Sequence, residues 1–157
     1  LLFLHADTVL SKGCLTALHD LLGANNDVIG GNFRLLFDGQ RRFDRWLEGF
    51  YAWLRSKGIY YGDSGIFLRA CRYRELGGIR RIPIMEDFDL AMRMEATGTT
   101  VCIDDPPLVT SSRRFNGRHP ITIFFGWLFV HLLFYLGVPP DRIAHIYDNE
   151  RCRERPA

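Results

Sequence analysis

The chain begins with Leu1-Leu2-Phe3-Leu4-His5-Ala6-Asp7-Thr8, an apolar run that ends in polar residues. A continuous apolar run of this kind is typical of a fully buried strand in a parallel sheet. Such a strand needs neighbours on both sides and helices on both faces, so we expect further chain to precede Leu1. Ligands of open α/β sheets bind beyond the carboxyl ends of strands, which makes His5 and Asp7 candidates for a binding site.

Strand-like and helix-like segments alternate along the rest of the chain, and this alternation predicts an α/β fold with a sheet flanked by helices. Gly30-Gly31 within one strand either weakens it or allows another group to approach the backbone closely. We predict strands over 28–37, 59–68 (interrupted at 62–65), 99–103 and 108–110, and helices over 11–22, 43–57, 71–76, 86–97 and after Pro140.

Length and composition restrict the class of protein. The chain has 157 residues, of which 47% are hydrophobic, and a net charge of +2. So small a net charge argues against a generic nucleic-acid-binding protein, and we expect no nucleic-acid partner. The four cysteines show no C-x-x-C spacing, which argues against a zinc knuckle and fits a reducing, cytoplasmic location.

Two of four polar clusters follow predicted strands or interrupt them. Asp7, in His5-Ala6-Asp7, either reaches a divalent cation or caps the turn before the first helix. Gly62-Asp63-Ser64-Gly65 either admits a ligand close to the backbone or forms a tight turn with Asp and Ser in their usual turn roles.

The other two clusters carry charge. Glu86-Asp87-Phe88-Asp89 places three carboxylates in four positions, which either supplies a general base or decorates a helix N-terminus. Arg113-Arg114 either clamps a phosphate or lies in an exposed basic loop. Metal-binding carboxylates, an acidic base and paired arginines are together what transfer from a phosphate leaving group requires.

The clusters occur in an order that resembles a known family. Leu2 to Thr8, then Gly30 to Arg34, Tyr61 to Phe67 and Met85 to Leu90 closely resemble the family 2 glycosyltransferases of the GT-A fold. The similarity is greatest to the bacterial subgroup found near radical-SAM and selenium-related genes. It extends to about Tyr147, and it implies the C-terminal part of such an enzyme without the N-terminal nucleotide-binding half.

The resemblance implies a fold, a chemistry and a set of residues. The fold would be a partial GT-A, Rossmann-like mixed sheet flanked by helices, and the chemistry a sugar transfer from a nucleotide-sugar to a hydroxyl acceptor with inversion. The implied roles are Mg²⁺ or Mn²⁺ binding by His5 and Asp7, catalysis by Asp87 with Glu86, acceptor binding by Gly62, Asp63 and Ser64, and diphosphate binding by Arg113 and Arg114.

The segment from Ile121 to Val138 contains no Asp, Glu, Lys or Arg. Eighteen such residues lie at the lower limit for a membrane span. We consider three placements: a helix buried in the domain or in a homodimer contact, a helix lying in a membrane surface, and a true span. A lipid-linked acceptor and a peripheral position at the inner membrane would fit the second.

We divide the chain into 1–118 as the catalytic and acceptor part, 119–148 as a C-terminal hydrophobic helical segment, and 149–157 as a charged tail. Two other functions fit the same residues. One is a metal-dependent nucleotidyl or phosphoryl transferase, which would make a phosphate-containing product. The other is a non-catalytic binding remnant that has lost nucleotide binding.

Overall fold

The computed structural model describes residues 1–117 and 119–153, together with their side chains except those of 114 and 148–153. The chain forms two compact units. The first comprises Leu1–Arg80 and Asp87–Arg114, and the second comprises Arg81–Glu86 and Phe115–Ala157.

The first unit is built on a curled, mixed five-stranded sheet, which confirms the predicted α/β class. The spatial order of the strands is β1-β4-β3-β5-β2. Only β3 and β5 run parallel, and the other neighbouring pairs are antiparallel. The strands are β1 (Leu2–Phe3), β2 (Thr8–Leu10), β3 (Val28–Phe37), β4 (Ile66–Leu68) and β5 (Thr99–Thr110).

The opening run does not form the predicted central strand. It gives the two-residue strand β1 at one edge of the sheet, antiparallel to β4, with half-buried side chains. The prediction of a fully buried parallel strand was therefore wrong. An apolar run specifies burial in general, whereas strand order and direction depend on pairing with residues more than sixty positions away.

The centre of the sheet is the pair β3 and β5. A Cβ atom at Gly30 would overlap the backbone of Phe67 and Leu68, and one at Gly31 would overlap that of Val101. The two glycines therefore allow the neighbouring strands to approach, which is one of the two predicted readings. The predicted strands at 99–103 and 108–110 are one strand, β5, with a register irregularity opposite Phe33–Leu35.

Four helices belong mainly to the first unit: α1 (Cys14–Ala24), α2 (Arg42–Arg55), α3 (Ala70–Glu75) and α4 (Glu86–Thr97). Helix α2 packs on β3, and α1 packs on β5. One core cluster joins α4 to the sheet and consists of Ile29, Tyr60, Ile66, Leu68, Leu90, Ala91 and Met94. Phe67 points to the opposite face of β4 and packs edge to face against Phe33.

The second unit contains α5 (Pro120–Tyr135) and α6 (Pro140–Arg153), which pack on each other. Phe115 packs edge to face on Trp127, with ring centroids 5.6 Å apart. Within the described part of the chain, no helix has both the length and the apolar character needed to cross a membrane. The first residues of the predicted charged tail continue α6, and its last four residues lie outside the described part.

Candidate functional site

The candidate site is organised around the 3₁₀ turn Gly62–Ser64, which immediately precedes β4. All three residues of the turn are buried. Gly65 ends the turn with a left-handed backbone, φ = 67°, which a glycine adopts without strain. The sequence had left this segment open between a ligand-binding loop and a tight turn, and the structure gives it the geometry of a tight turn.

Asp87, in the first turn of α4, connects that helix to the turn at Gly62. The Gly62 N–H donates to Asp87 Oδ2 at 2.7 Å, and the Phe88 N–H donates to Asp87 Oδ1 at 2.7 Å. Each carboxylate oxygen thus accepts one backbone hydrogen bond, which fixes the plane of the group. Because Asp87 is only half-buried, its remaining lone pairs can reach a bound molecule.

The third acid of the predicted cluster has a different use. Asp89 is 8% exposed and forms ion pairs with Arg80 at 2.8 Å and with Arg93 at 2.7 Å. Arg93 also donates to the carbonyl oxygens of Leu76 and Gly78, so Asp89 and Arg93 together hold the chain that precedes α4. Asp89 therefore stabilises the fold, and the crowding of three carboxylates expected from the sequence is relieved by arginines.

His5 reaches the same place from the loop after β1. A Cβ atom built on Gly62 would lie 2.7 Å from His5 Nε2 and 3.1 Å from Asp87 Oδ2. The imidazole and the carboxylate therefore both lie against the Gly62 Cα, and any side chain at position 62 would clash with them. His5 is exposed and Asp87 is half-buried, so both groups can be reached from solvent. The chain separates these three residues by up to 82 positions, and the fold brings them together.

Asp63 points the other way, into the unit. It is 5% exposed, and the Tyr51 hydroxyl donates to its Oδ2 at 3.0 Å. The Thr8 hydroxyl lies within 3.4 Å of its backbone oxygen. A carboxylate held in this way supports the turn from beneath and is closed to an acceptor molecule. We therefore interpret Asp63 as a positioning residue, and the acceptor-binding role implied by the resemblance stays a prediction.

Ser64 also supports the turn. Its hydroxyl donates to the Tyr61 carbonyl oxygen at 2.6 Å and accepts from Asn32 Nδ2 at 3.1 Å. Ser64 is 2% exposed, so of the three expected acceptor residues only Gly62 lies directly beside His5 and Asp87. Sequence reasoning missed Asn32, Tyr51 and Thr8, since their spacing from the turn gives no sign of contact.

The predicted metal ligands His5 and Asp7 both have exposed side chains. Among the described residues there is no group of three or more His, Cys, Asp or Glu side chains arranged to hold a metal ion. Mg²⁺ in phosphate-transfer sites is commonly held by one or two carboxylates, with substrate phosphates and water completing the octahedron. Asp7 supplies one exposed carboxylate of that kind, and His5, two residues earlier in the chain, supplies an imidazole, which suits Mn²⁺ better than Mg²⁺.

Glu86 is the first residue of α4, is half-buried and belongs to the second unit. The residue before it, Met85, has a positive φ of 65°. A non-glycine residue in this region is strained, and such residues concentrate at functional sites. Met85, immediately before α4, is therefore held in a strained backbone conformation whose energetic cost the rest of the fold must offset.

The predicted diphosphate-binding arginines lie after β5, in the 3₁₀ turn Arg113–Phe115. Arg113 is exposed, and its guanidinium forms no ion pair with any described residue. The side chain of Arg114 lies outside the described part. Asp38 fixes the chain just before them, because its carboxylate accepts the Ser112 N–H at 2.7 Å. That bond lowers the pKa of Asp38 below its ordinary value.

Neither the protein-family models nor the curated proteins gave a match to the chain.

Proposed function

We propose that the protein is a metal-dependent, inverting glycosyltransferase of the family 2, GT-A type, acting on a nucleotide-sugar and a hydroxyl acceptor. One observation carries the proposal. His5 from the loop after β1 and Asp87 from α4 both lie against Gly62, and neither side chain is fully buried. The resemblance assigns His5 to the metal and Asp87 to the base, and sugar transfer requires these two groups to lie close together.

In the proposed reaction Asp87 receives the proton of the acceptor hydroxyl as that oxygen attacks the anomeric carbon. The bond from the anomeric carbon to the diphosphate oxygen breaks on the opposite face, so the configuration inverts. The two backbone hydrogen bonds to Asp87 orient its carboxylate toward the acceptor before the reaction begins. A general base in this position contributes about 10²–10⁴-fold to the rate.

The leaving diphosphate needs positive charge. Asp7 and His5 would hold Mn²⁺ or Mg²⁺, which supplies Lewis-acid stabilisation of the departing phosphates when bound. Arg113, exposed and without an acidic partner among the described residues, can add a second positive charge to the diphosphate.

The test uses the protein in the full length that its gene encodes. Uridine, guanosine and thymidine diphosphate sugars are supplied one at a time with Mn²⁺ or Mg²⁺, and release of nucleoside diphosphate is measured with and without a mixture of hydroxyl acceptors. We expect one donor class to be consumed, and NMR of the product to show inverted configuration. A nucleoside monophosphate product would favour nucleotidyl transfer instead. Binding of donor with no turnover in any combination would favour the binding remnant.

A further inference from the structure

Helix α2 carries a stripe of four aromatic side chains, Phe43, Trp46, Phe50 and Trp53. Their spacing of three, four and three residues places them along one side of the helix. Adjacent rings are nearly parallel, with interplanar angles of 12°, 7° and 21° and centroids 5.1–5.8 Å apart. We call these four residues the aromatic stripe.

The aromatic stripe is not the face by which α2 packs on the sheet. That face is formed by Leu47 and Tyr51, which are buried, and Tyr51 packs on Phe37 of β3. Trp46 and Trp53 are 48% and 56% exposed. The helix therefore has two apolar surfaces, one of which serves the core while the other presents two indole rings to solvent.

The charges around the aromatic stripe are predominantly positive. Residues 41–57 contain five basic and two acidic side chains. Both acids are turned inward: the Asp44 side chain is 0% exposed and bound to Arg41, and the Glu48 side chain is 14% exposed and accepts the Phe37 N–H. Arg42 stands one turn before Trp46 and Lys57 one turn after Trp53, and both are exposed.

We propose that α2 is a membrane-docking helix whose aromatic stripe enters the surface of a bilayer that contains anionic phospholipids. Tryptophan favours the boundary between headgroups and acyl chains. A helix with aromatic residues on one face and exposed cations beside them is the usual form of an element lying in that boundary. Anionic headgroups attract each flanking cation.

A second copy of the chain fits the aromatic stripe less well. Two stripes packed in antiparallel orientation would place Arg42 of each copy beside Lys57 of the other, and two packed in parallel would place like residues together. Both arrangements bring positive charges together without an acid between them, because Asp44 and Glu48 face inward. Anionic lipid supplies the missing negative charge.

The first experiment measures binding to vesicles by cosedimentation and by tryptophan emission. The vesicles are phosphatidylcholine alone, or phosphatidylcholine with about one third phosphatidylglycerol. The protein carries Trp127→Phe, so that only Trp46 and Trp53 report. We expect binding and a blue shift with the anionic vesicles only, and quenching by lipids brominated near the headgroup end of the acyl chain. Absence of both binding and quenching would overturn the proposal.

The second experiment assigns the contact. Trp46→Ser/Trp53→Ser and Arg42→Glu/Lys57→Glu should each weaken vesicle binding at least tenfold. The matched control is Phe125→Ser/Leu132→Ser on α5, where both side chains are also more than half exposed, and it should bind as the parent does. Loss of binding in the α5 variant alone would overturn the proposal in favour of α5, and a dimer that the α2 variants dissociate would overturn it in favour of self-association.

If a serine variant unfolds, the proposal can still be tested, because quenching by brominated lipid is measured on the folded Trp127→Phe protein. Quenching that is equal with lipids brominated at either end of the acyl chain, or none at all, contradicts a helix lying at the boundary. A further measurement adds single-stranded oligonucleotide to the protein without vesicles. Quenching of the Trp46 and Trp53 emission by the oligonucleotide would identify the stripe as a base-stacking surface and overturn the lipid assignment.

Discussion

Asp63 and Asp87 are two carboxylates that meet the same turn from opposite sides. Asp63 lies in the turn, is 5% exposed and accepts a hydrogen bond from a buried phenol. Asp87 comes from α4, is half-buried and accepts hydrogen bonds from two backbone amides. A carboxylate held from within serves the fold, whereas a half-buried one held by backbone amides keeps lone pairs accessible to solvent. Exposure and partner type distinguish them, and residue type does not.

Asp87→Asn should have the largest effect in this comparison. The amide oxygen can still accept one backbone hydrogen bond, but the group no longer takes up a proton, so transfer should fall by about 10²–10⁴-fold. The fold should remain, as judged by circular dichroism and thermal melting. Asp27→Asn, at an exposed position, is the matched control and should transfer normally. Turnover within about threefold of the parent would remove Asp87 from the catalytic role.

Gly62→Ala should separate the site from the fold. The new Cβ would meet His5 Nε2 and Asp87 Oδ2, which are ends of side chains that can move. We expect a change in the free energy of unfolding below about 1 kcal/mol and a loss of activity of about 10²-fold, as for misplacement by about an ångström. Gly23→Ala is the control, since a Cβ there meets nothing within 4 Å. Full activity in Gly62→Ala would show that transfer does not depend on the placement of His5 and Asp87 against Gly62.

Asp63→Ala should act on stability instead. The change leaves the buried Tyr51 hydroxyl without its carboxylate and opens space beneath the turn, so the free energy of unfolding should fall by about 2–3 kcal/mol. Urea denaturation measures this directly. If Asp63→Ala were as stable as the parent and yet inactive, the acceptor-binding role would be favoured and our interpretation of Asp63 as a positioning residue would fail.

Tyr51→Phe tests the same hydrogen bond, between Tyr51 and Asp63, with a smaller change. Removing only the hydroxyl should cost about 1 kcal/mol of unfolding free energy. In the double variant with Asp63→Ala the two losses should not add, and the coupling should be about 1 kcal/mol in a double-mutant cycle. Additive losses would mean that the phenol and the carboxylate stabilise the protein independently, contrary to the 3.0 Å contact.

Asp44 provides the smallest effect and a third kind of carboxylate, one held by a cation. The Arg41 side chain holds the pKa of Asp44 below its ordinary value. A lowered pKa contributes stability that is present above the unfolded value of about 4 and is lost as the pH falls through the folded value. Between neutral pH and about pH 3, Asp44→Asn should therefore lose less unfolding free energy than the parent does. Parallel pH dependences would contradict this assignment.

Local patterns predicted several elements with their bounds. The strand over 28–37 and the helix over 86–97 match β3 and α4 residue for residue. A mainly apolar run closed by a turn at Asp38-Gly39 accounts for the first, and an acidic first turn with Gly98 after the last turn accounts for the second. In each case the information lies within one element.

Helix α2 shows a limit of local sequence patterns, which predict the helix but not which of its faces is buried. The helical spacing of its apolar residues (Phe43, Trp46, Leu47, Phe50 and Leu54) predicted a helix over 43–57, and the structure has α2 at Arg42–Arg55. The same spacing could not show whether the core takes Trp46 and Trp53 or Leu47 and Tyr51, because both sets lie on continuous stripes. That choice depends on how α2 meets β3, where Tyr51 packs on Phe37 and reaches Asp63.

The sequence by itself determined the α/β class, most of the helices and strands, and the polar clusters that hold His5, Gly62 and Asp87. Only the tertiary structure decided that β1 lies at a sheet edge, that Asp63 faces inward, and that His5 and Asp87 both lie against Gly62. The physical reason is the separation along the chain over which each kind of interaction acts. Periodicity, caps and turn residues act over a few positions, whereas the direction of a side chain at a turn depends on partners twelve to eighty positions away that meet only when the sheet has formed.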